Sequence, residues 1–239
     1  VPPVPASSSS APAPTMKTLA QVEPRVPIST APFTISQSGS YYLTTNLTVA
    51  AGNAITIAAN GVTLDLNGFT ISSTANPAAG YAVLLNSSLR NITIQNGIIQ
   101  GAVTNSGGVF SGSGFGYGIT YSGSTPQNVR VIGVSVSGCQ YNGIYMGAGE
   151  STLVENCLVR TVGGYGIMAT TIRGCVAKEC GGTGIAGSDV SDSRSESIGS
   201  SYGLSATTAQ NCYGSSSSGT GLHATTAQNC YGSGVTGSG

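Results

Sequence analysis

Two stretches near the end of this chain are almost copies of each other. Ser205–Gly214 reads SATTAQNCYG, and 18 residues on His223–Gly232 reads HATTAQNCYG. Behind them runs a series of dipeptides, each a small residue followed by an aliphatic one. They are Ala54-Ile55, Ala82-Val83, Gly118-Ile119, Gly143-Ile144, Gly166-Ile167, Gly184-Ile185, Gly203-Leu204 and Gly221-Leu222. A period of this size marks a solenoid, in which each repeat is one coil that cannot bury its apolar face alone. The feature constrains the fold much more than the activity, because a solenoid is a scaffold and function sits on residues added to it.

One rung reads clearly from Gly143 to Tyr165. Gly143–Met146 is a first short strand, Gly147–Gly149 a turn and Ser151–Glu155 a second strand. Asn156 is a sharp corner, Cys157–Arg160 a third strand and Thr161–Tyr165 the closing segment. Runs of Val, Ile and Thr this short, punctuated by Gly and Asn, are strand and turn chemistry. Stacked coils set parallel strands ~4.8 Å apart, so about eight rungs predict a rod of ~40 Å.

Successive dipeptides begin 28, 36, 25, 23, 18, 19 and 18 residues apart. The early rungs therefore carry insertions, the largest at Gly101–Tyr117 and a second at Ser72–Tyr81. Insertions in repeat proteins often lie on the binding side. The corners form a column of their own: Asn67, Asn96, Asn156, Asn211 and Asn229, with Gly174 and Asp192 standing in. Asn tolerates the left-handed backbone of a tight corner, and stacked amides bond along the axis, so this ladder is read as structural.

Charged residues make up 7% of the 239, the net charge is zero, and 36 residues are glycine. Such a composition would suit disorder, but the regular spacing of apolar residues argues for a thin, repeated core. Neutrality without a basic cluster argues against nucleic acid as a partner. No apolar run reaches the length of a membrane span. Residues 1–15, VPPVPASSSSAPAPT, form a Pro/Ala/Ser spacer. An arm of this kind suits a mature chain whose signal peptide has been removed, which predicts a secreted or cell-surface protein. The expected organisation is an arm and lead-in over residues 1–33, an N-terminal cap over 34–53 and rungs over 54–239.

Together, the Gly-Ile rung starts and the Asn corners resemble the right-handed parallel β-helix repeat family, related in fold to pectate lyases, over residues 34–239. Thr18–Thr48, TLAQVEPRVPISTAPFTISQSGSYYLTTNLT, followed by VTLDLNGFTI at Val62–Ile71, also resembles the opening of many secreted bacterial β-helix proteins of unknown activity. The resemblance implies an all-β solenoid. Its lyase-like members use carboxylates for calcium with an Arg or Lys base. This sequence lacks the pectate-lyase-like pair of arginines around a proline. It also lacks the paired aspartates and the His-Gly and Arg-x-Lys segments of polygalacturonases.

Ten of the sixteen charged residues lie between Glu150 and Glu196. The best acid–base set is Asp189, Asp192 and Glu196 with Arg194, since glycosidases need two acids ~5–10 Å apart. The same region also carries columns at 18-residue intervals, Glu155 with Arg173, and Arg160, Lys178 and Glu196. These read as ion pairs that hold the register of a stack, and that reading takes precedence.

Cys157, Cys175, Cys212 and Cys230 form a further column beside the corner, with Ser193 in its gap. Cys139 and Cys180 each stand four residues before a Gly-Ile start. A straight column converges on no point, so neither a metal site nor a cofactor is expected. Parallel neighbours at ~4.8 Å fit disulfide geometry poorly. Buried free thiols are expected, with Cys175–Cys180 or an interchain Cys230 bridge as alternatives in an oxidising setting. The single histidine, His223, aligns with Ser205 and Ala186 and reads as an exposed substitution. Tyr117, Tyr121, Tyr145 and Tyr165 are the candidate carbohydrate-binding residues, with packing of the closing turn as their other role.

These readings predict a secreted, non-catalytic structural or adhesive protein. It is expected to self-associate end to end through its C-terminal rung and the Val1–Pro27 arm, because an unpaired strand edge recruits another chain and head-to-tail contacts build fibres. The alternatives are a polysaccharide lyase or glycoside hydrolase, and a carbohydrate-binding module with a polysaccharide as partner.

Overall fold

In the computed structural model, residues 23–147 and 151–235 are described. Among them, 22 strands join one parallel hydrogen-bonded ladder and two form an antiparallel hairpin, with no helix. The chain is a right-handed parallel β-helix. Phe33, Ile55, Val83, Ile119, Ile144, Ile167, Ile185, Leu204 and Leu222 are successive partners down the first strand of each coil. All of these except Phe33 are the aliphatic members of the small–aliphatic dipeptides. The small member is required by the opposite wall: a Cβ on Gly166 would lie 2.8 Å from both the Ala177 Cβ and the Cys180 Sγ.

Phe33 corrects the expected cap. Phe33–Ile35 pairs with Ile55–Ile57, and Leu47–Val49 with Ile71–Ser73, so residues 34–53 form a coil like the others. Pro32 precedes Phe33 in place of a small residue, which hid this rung from the dipeptide pattern. Val26–Ile28, expected in the lead-in, pairs with Tyr41–Leu43, and the Arg25 guanidinium lies 4.4 Å over the Tyr42 ring. Residues 1–22, with most of the predicted arm, lie outside the described residues.

The corners are left-handed. Asn67, Asn96, Asn156, Asp192, Asn211 and Asn229 have φ between 51° and 58°. Gly174 turns the same corner at φ 61°, and so does Gly133, which the expected column omitted. A Cβ on Gly174 would sit 2.6 Å from Asn156 Oδ1, so the amide stacked on that corner leaves room only for glycine. Along the last coils the ladder is bonded: Asn211 donates to Asp192 Oδ1 at 3.0 Å, and Asn229 to Asn211 Oδ1 at 3.3 Å.

The core thins along the axis. One inward position of the third strand reads Leu47, Ile71, Ile99, Val136, Val159, Ala177, Ser195, Gly214 and Gly232 from coil to coil. Its second-strand counterpart reads Leu64, Ile94, Val131, Val154, Ile172, Val190, Ala209 and Ala227. At ~0.8 kcal/mol per buried methylene, the step from Ile99 to Gly214 alone removes roughly 3 kcal/mol from its layer. Shorter rungs and smaller core residues belong together, because a narrower coil encloses less volume.

The Gly101–Tyr117 insertion departs from the expected binding loop. Ala102–Ser106 and Val109–Ser113 form an antiparallel hairpin folded along the closing turns. Val103 and Phe110 are buried with Ala78 and packed against Ile198. The Phe110 ring lies where a Cβ on Gly181 would come within 2.8 Å of it. Gln140 Nε2 donates to the Phe110 carbonyl at 2.8 Å, and Asn105 Nδ2 to Glu179 Oε1 at 3.3 Å. The insertion is therefore a strap over glycine-rich turns. Ala78 brings the Ser72–Tyr81 insertion under the same strap.

The thinning core predicts a gradient of local stability. In native-state hydrogen exchange, amides of Val62–Asp65 and Gln127–Cys139 are expected to be the slowest, and those of Arg194–Ser197 and Tyr213–Ser216 faster by at least about tenfold. Uniform protection across these strands would contradict the gradient.

Candidate functional site

The four acid–base candidates do not converge. Asp189 is exposed on the second strand, beside Thr171 and Thr208 of the adjacent coils. Asp192 is the corner itself, and Arg194 and Glu196 lie beyond it on the third strand. The corner thus turns Asp189 and Glu196 onto different faces. Asp192 accepts the Asn211 amide of the ladder, and the Arg194 guanidinium lies 4.2 Å over the Tyr213 ring. Among the described residues, no three of His, Cys, Asp and Glu come together as a metal-binding group.

The expected charge columns are only partly formed. Glu155 and Arg173 are register partners, as are Arg160 and Lys178. Lys178 has no register partner in Glu196, because the pairing shifts between Ala177 and Cys180. Glu179 bulges there at φ 55°, below Thr161 at φ 54°. Arg160 instead reaches Glu179 at 3.8 Å, and the Thr161 hydroxyl donates to the same carboxylate at 2.6 Å.

The cysteine column serves the backbone. All six cysteines are free thiols in this chain, so the Cys175–Cys180 bridge is not formed. After the corners at Gly133, Asn156, Gly174 and Asn211, the following N–H points at the next coil's side chain. Val134 donates to Cys157 Sγ at 3.5 Å, Cys157 to Cys175 Sγ at 3.4 Å, and Cys212 to Cys230 Sγ at 3.4 Å. At the serine in the column, Cys175 donates to Ser193 Oγ at 3.1 Å. The corner swings these N–H groups out of the regular ladder, and sulfur or hydroxyl is the partner that a buried donor needs. Burial pushes the Cys139 thiol up to about 12 and raises Cys180 as well. Thiols held neutral in this way are poor nucleophiles.

The sugar-stacking candidates fall into two rows. Tyr117 stacks with Tyr81 at 5.1 Å and with Tyr141 at 5.0 Å. Tyr121, Tyr145 and Tyr165 form the other row, with centroid separations of 6.0 and 5.8 Å. Rings between two neighbours in these rows spend their faces on one another, whereas Tyr165, at the end of its row, meets Tyr145 edge to face at 65°. The exposed histidine also belongs to a stack: His223 lies 4.7 Å from Tyr202, at 30°.

A cleft of about 600 Å³ opens where these rows end. Its floor is the outward column of the first strand, where Met168, Ala186 and Ser205 are register partners. Its wall is the row that precedes each rung start. Gly143, Gly166, Gly184 and Gly203 donate in turn to the carbonyls of Tyr165, Thr183, Tyr202 and Thr220, which places those four in line. The closing turn lengthens from Gly181–Thr183 to Ile198–Tyr202, and its extra residues bring Ser200 and Ser201 to the rim. Among the described residues, no charged one lines this cleft. In the sequence Tyr165 and Tyr202, like Tyr81 and Tyr117, stand in the same row just before a Gly- or Ala-aliphatic start, though only Tyr165 of the two is among the four carbohydrate-binding candidates.

No protein family matches the chain, and no curated protein matches it. Among solved structures, the chain is similar to the A-module of a mannuronan C-5 epimerase from Azotobacter vinelandii. The two share 12% identity at a TM-score of 0.48, over 81% of this chain and 68% of that one.

Burial of the thiols gives a test. In the native protein, only the half-buried Cys230 is expected to react rapidly with a thiol reagent, and all six in denaturant. A folded-state value raised above the unfolded one also means that Cys139 favours folding fully below the ordinary thiol range of ~8.5. That contribution is lost as pH rises towards the folded value of about 12. The melting temperature should therefore fall over this alkaline window, less steeply in Cys139→Ala. Fast labelling of several native thiols would refute the assignment.

Proposed function

We propose that this protein is a non-catalytic β-helical rod, secreted or displayed at a cell surface, with a structural or adhesive role. The observation that carries the reading is the dispersal of Asp189, Asp192, Arg194 and Glu196 across a corner and two faces, with Asp192 and Arg194 engaged by neighbouring coils. General acid–base chemistry needs its groups within reach of one reacting atom, and glycoside cleavage needs two carboxyl groups flanking one bond.

End-to-end association belongs to the same proposal. Leu204–Gln210 and Leu222–Gln228 pair in register, and end-to-end association would extend the same parallel backbone pairing to a coil of a second copy. Polysaccharide binding is the second reading, and the uncharged, tyrosine-walled cleft favours it.

Incubation with a panel of uronate and neutral polymers is expected to release neither unsaturated nor reducing sugars. Release that disappears in Asp192→Asn or Arg194→Ala would overturn the reading. Light scattering over a range of concentrations should show mass growing without a fixed stoichiometry; a constant monomer mass would remove the assembly role.

A further inference from the structure

We propose that the cleft between Tyr165 and Tyr202 is a binding site for a neutral pyranose glycan. This supplies a ligand for the adhesive reading above, and rests on that reading only in that the bound sugar is not cut.

The row before each rung start runs Tyr117, Asn142, Tyr165, Thr183, Tyr202 and Thr220, and at Asn142 the adjacent Tyr141 fills the gap by closing on Tyr117 at 5.0 Å. Elsewhere along the rod, tyrosines of adjacent coils close on each other at 5.0 to 6.0 Å. Between Tyr165 and Tyr202 the intervening coil supplies Thr183, which carries no ring. Two coil spacings of ~4.8 Å put those tyrosine positions ~10 Å apart. The floor sinks at the same level: the outward column runs Tyr145, Met168, Ala186, Ser205, His223, large at both ends and small in the middle. The result is a cleft of about 600 Å³, within the usual ~300–1,000 Å³ of a small-ligand site.

The walls are held before any ligand arrives. Tyr202 is backed by His223 at 4.7 Å, and His223 is not itself part of the cleft. Tyr165 is braced by Tyr145, edge to face at 5.8 Å. Rings fixed in this way lose little freedom on binding. The rim offers the hydroxyls of Ser200, Ser201 and Thr220, which both donate and accept.

A pyranose has the matching surfaces, an apolar C–H face for a tyrosine ring and a hydroxyl edge for serine and threonine. The absence of charge in the lining decides between sugar classes. A uronate carboxylate entering here would shed water and meet no cation, at a cost that a neutral sugar does not incur.

The test is calorimetry on the whole chain with cellotetraose, maltotetraose, xylotetraose and tetragalacturonate. At least one of the neutral oligosaccharides is expected to bind, and tetragalacturonate is not. Tyr202→Ala and Tyr165→Ala should each weaken binding by at least about tenfold. Ala186→Tyr places in the floor the side chain that Tyr145 carries in the same column. It should abolish binding with the circular dichroism spectrum and melting temperature unchanged, which separates a filled site from a lost fold.

The proposal fails if no neutral oligosaccharide binds at millimolar concentration, if only the uronate binds, or if Ala186→Tyr binds as tightly as the native chain. Cleavage of a bound neutral sugar would end the non-catalytic reading and leave the site in place. Absence of both binding and cleavage would end the site and leave that reading in place.

Discussion

Parallel coils in register set each side chain directly against its counterpart one coil away, and almost everything else in this protein follows from that. The backbone ladder fixes the separation at ~4.8 Å. A residue type that stacks well on itself can then recur without limit, and one that does not must be replaced. Aliphatic side chains satisfy this rule inside, amides at the corners, and thiols or hydroxyls just past them. Tyrosine satisfies it outside, as in Tyr81–Tyr117–Tyr141 and Tyr213–Tyr231.

The rule also explains why charge is scarce. A column of like charges in register repels, and Arg160 above Lys178 is such a pair. Here the chain departs from regularity: Glu179 bulges out of the third strand and brings its carboxylate to Arg160. Asp192 in the corner ladder is tolerated because the Asn211 amide donates to it. Charges in this protein are thus placed by the needs of the stack. That is why the residues of the charged cluster in the sequence are dispersed in space.

Shape arises where columns change size. The inward columns shrink steadily from Leu47 to Gly232, which narrows the coil and shortens the rung. Between Tyr145 and His223 the outward column is small only at Ala186 and Ser205, and between Tyr165 and Tyr202 the row before the rung starts carries Thr183. Where two such interruptions coincide at one level of the rod, a cleft opens. The strap around Phe110 covers the glycine turns on the neighbouring side and leaves this level uncovered.

By itself the sequence determined the period, and with it most of the fold. Eight dipeptides located eight first strands, and the Asn and Cys spacings located the corners, because in-register stacking turns a linear interval into a spatial column. It missed the rung at Phe33, where proline replaced the small residue, and the corner at Gly133, where glycine in a glycine-rich chain carries no signal. Tertiary structure alone decided which columns share a face. That question depends on the angle at each corner and on single-residue bulges such as Glu179, and neither alters the 18-residue interval. So Asp189 and Glu196, seven residues apart in the chain, are turned apart. Tyr165 and Tyr202, 37 apart, line one cleft, because two turns of a coil bring distant residues to the same wall.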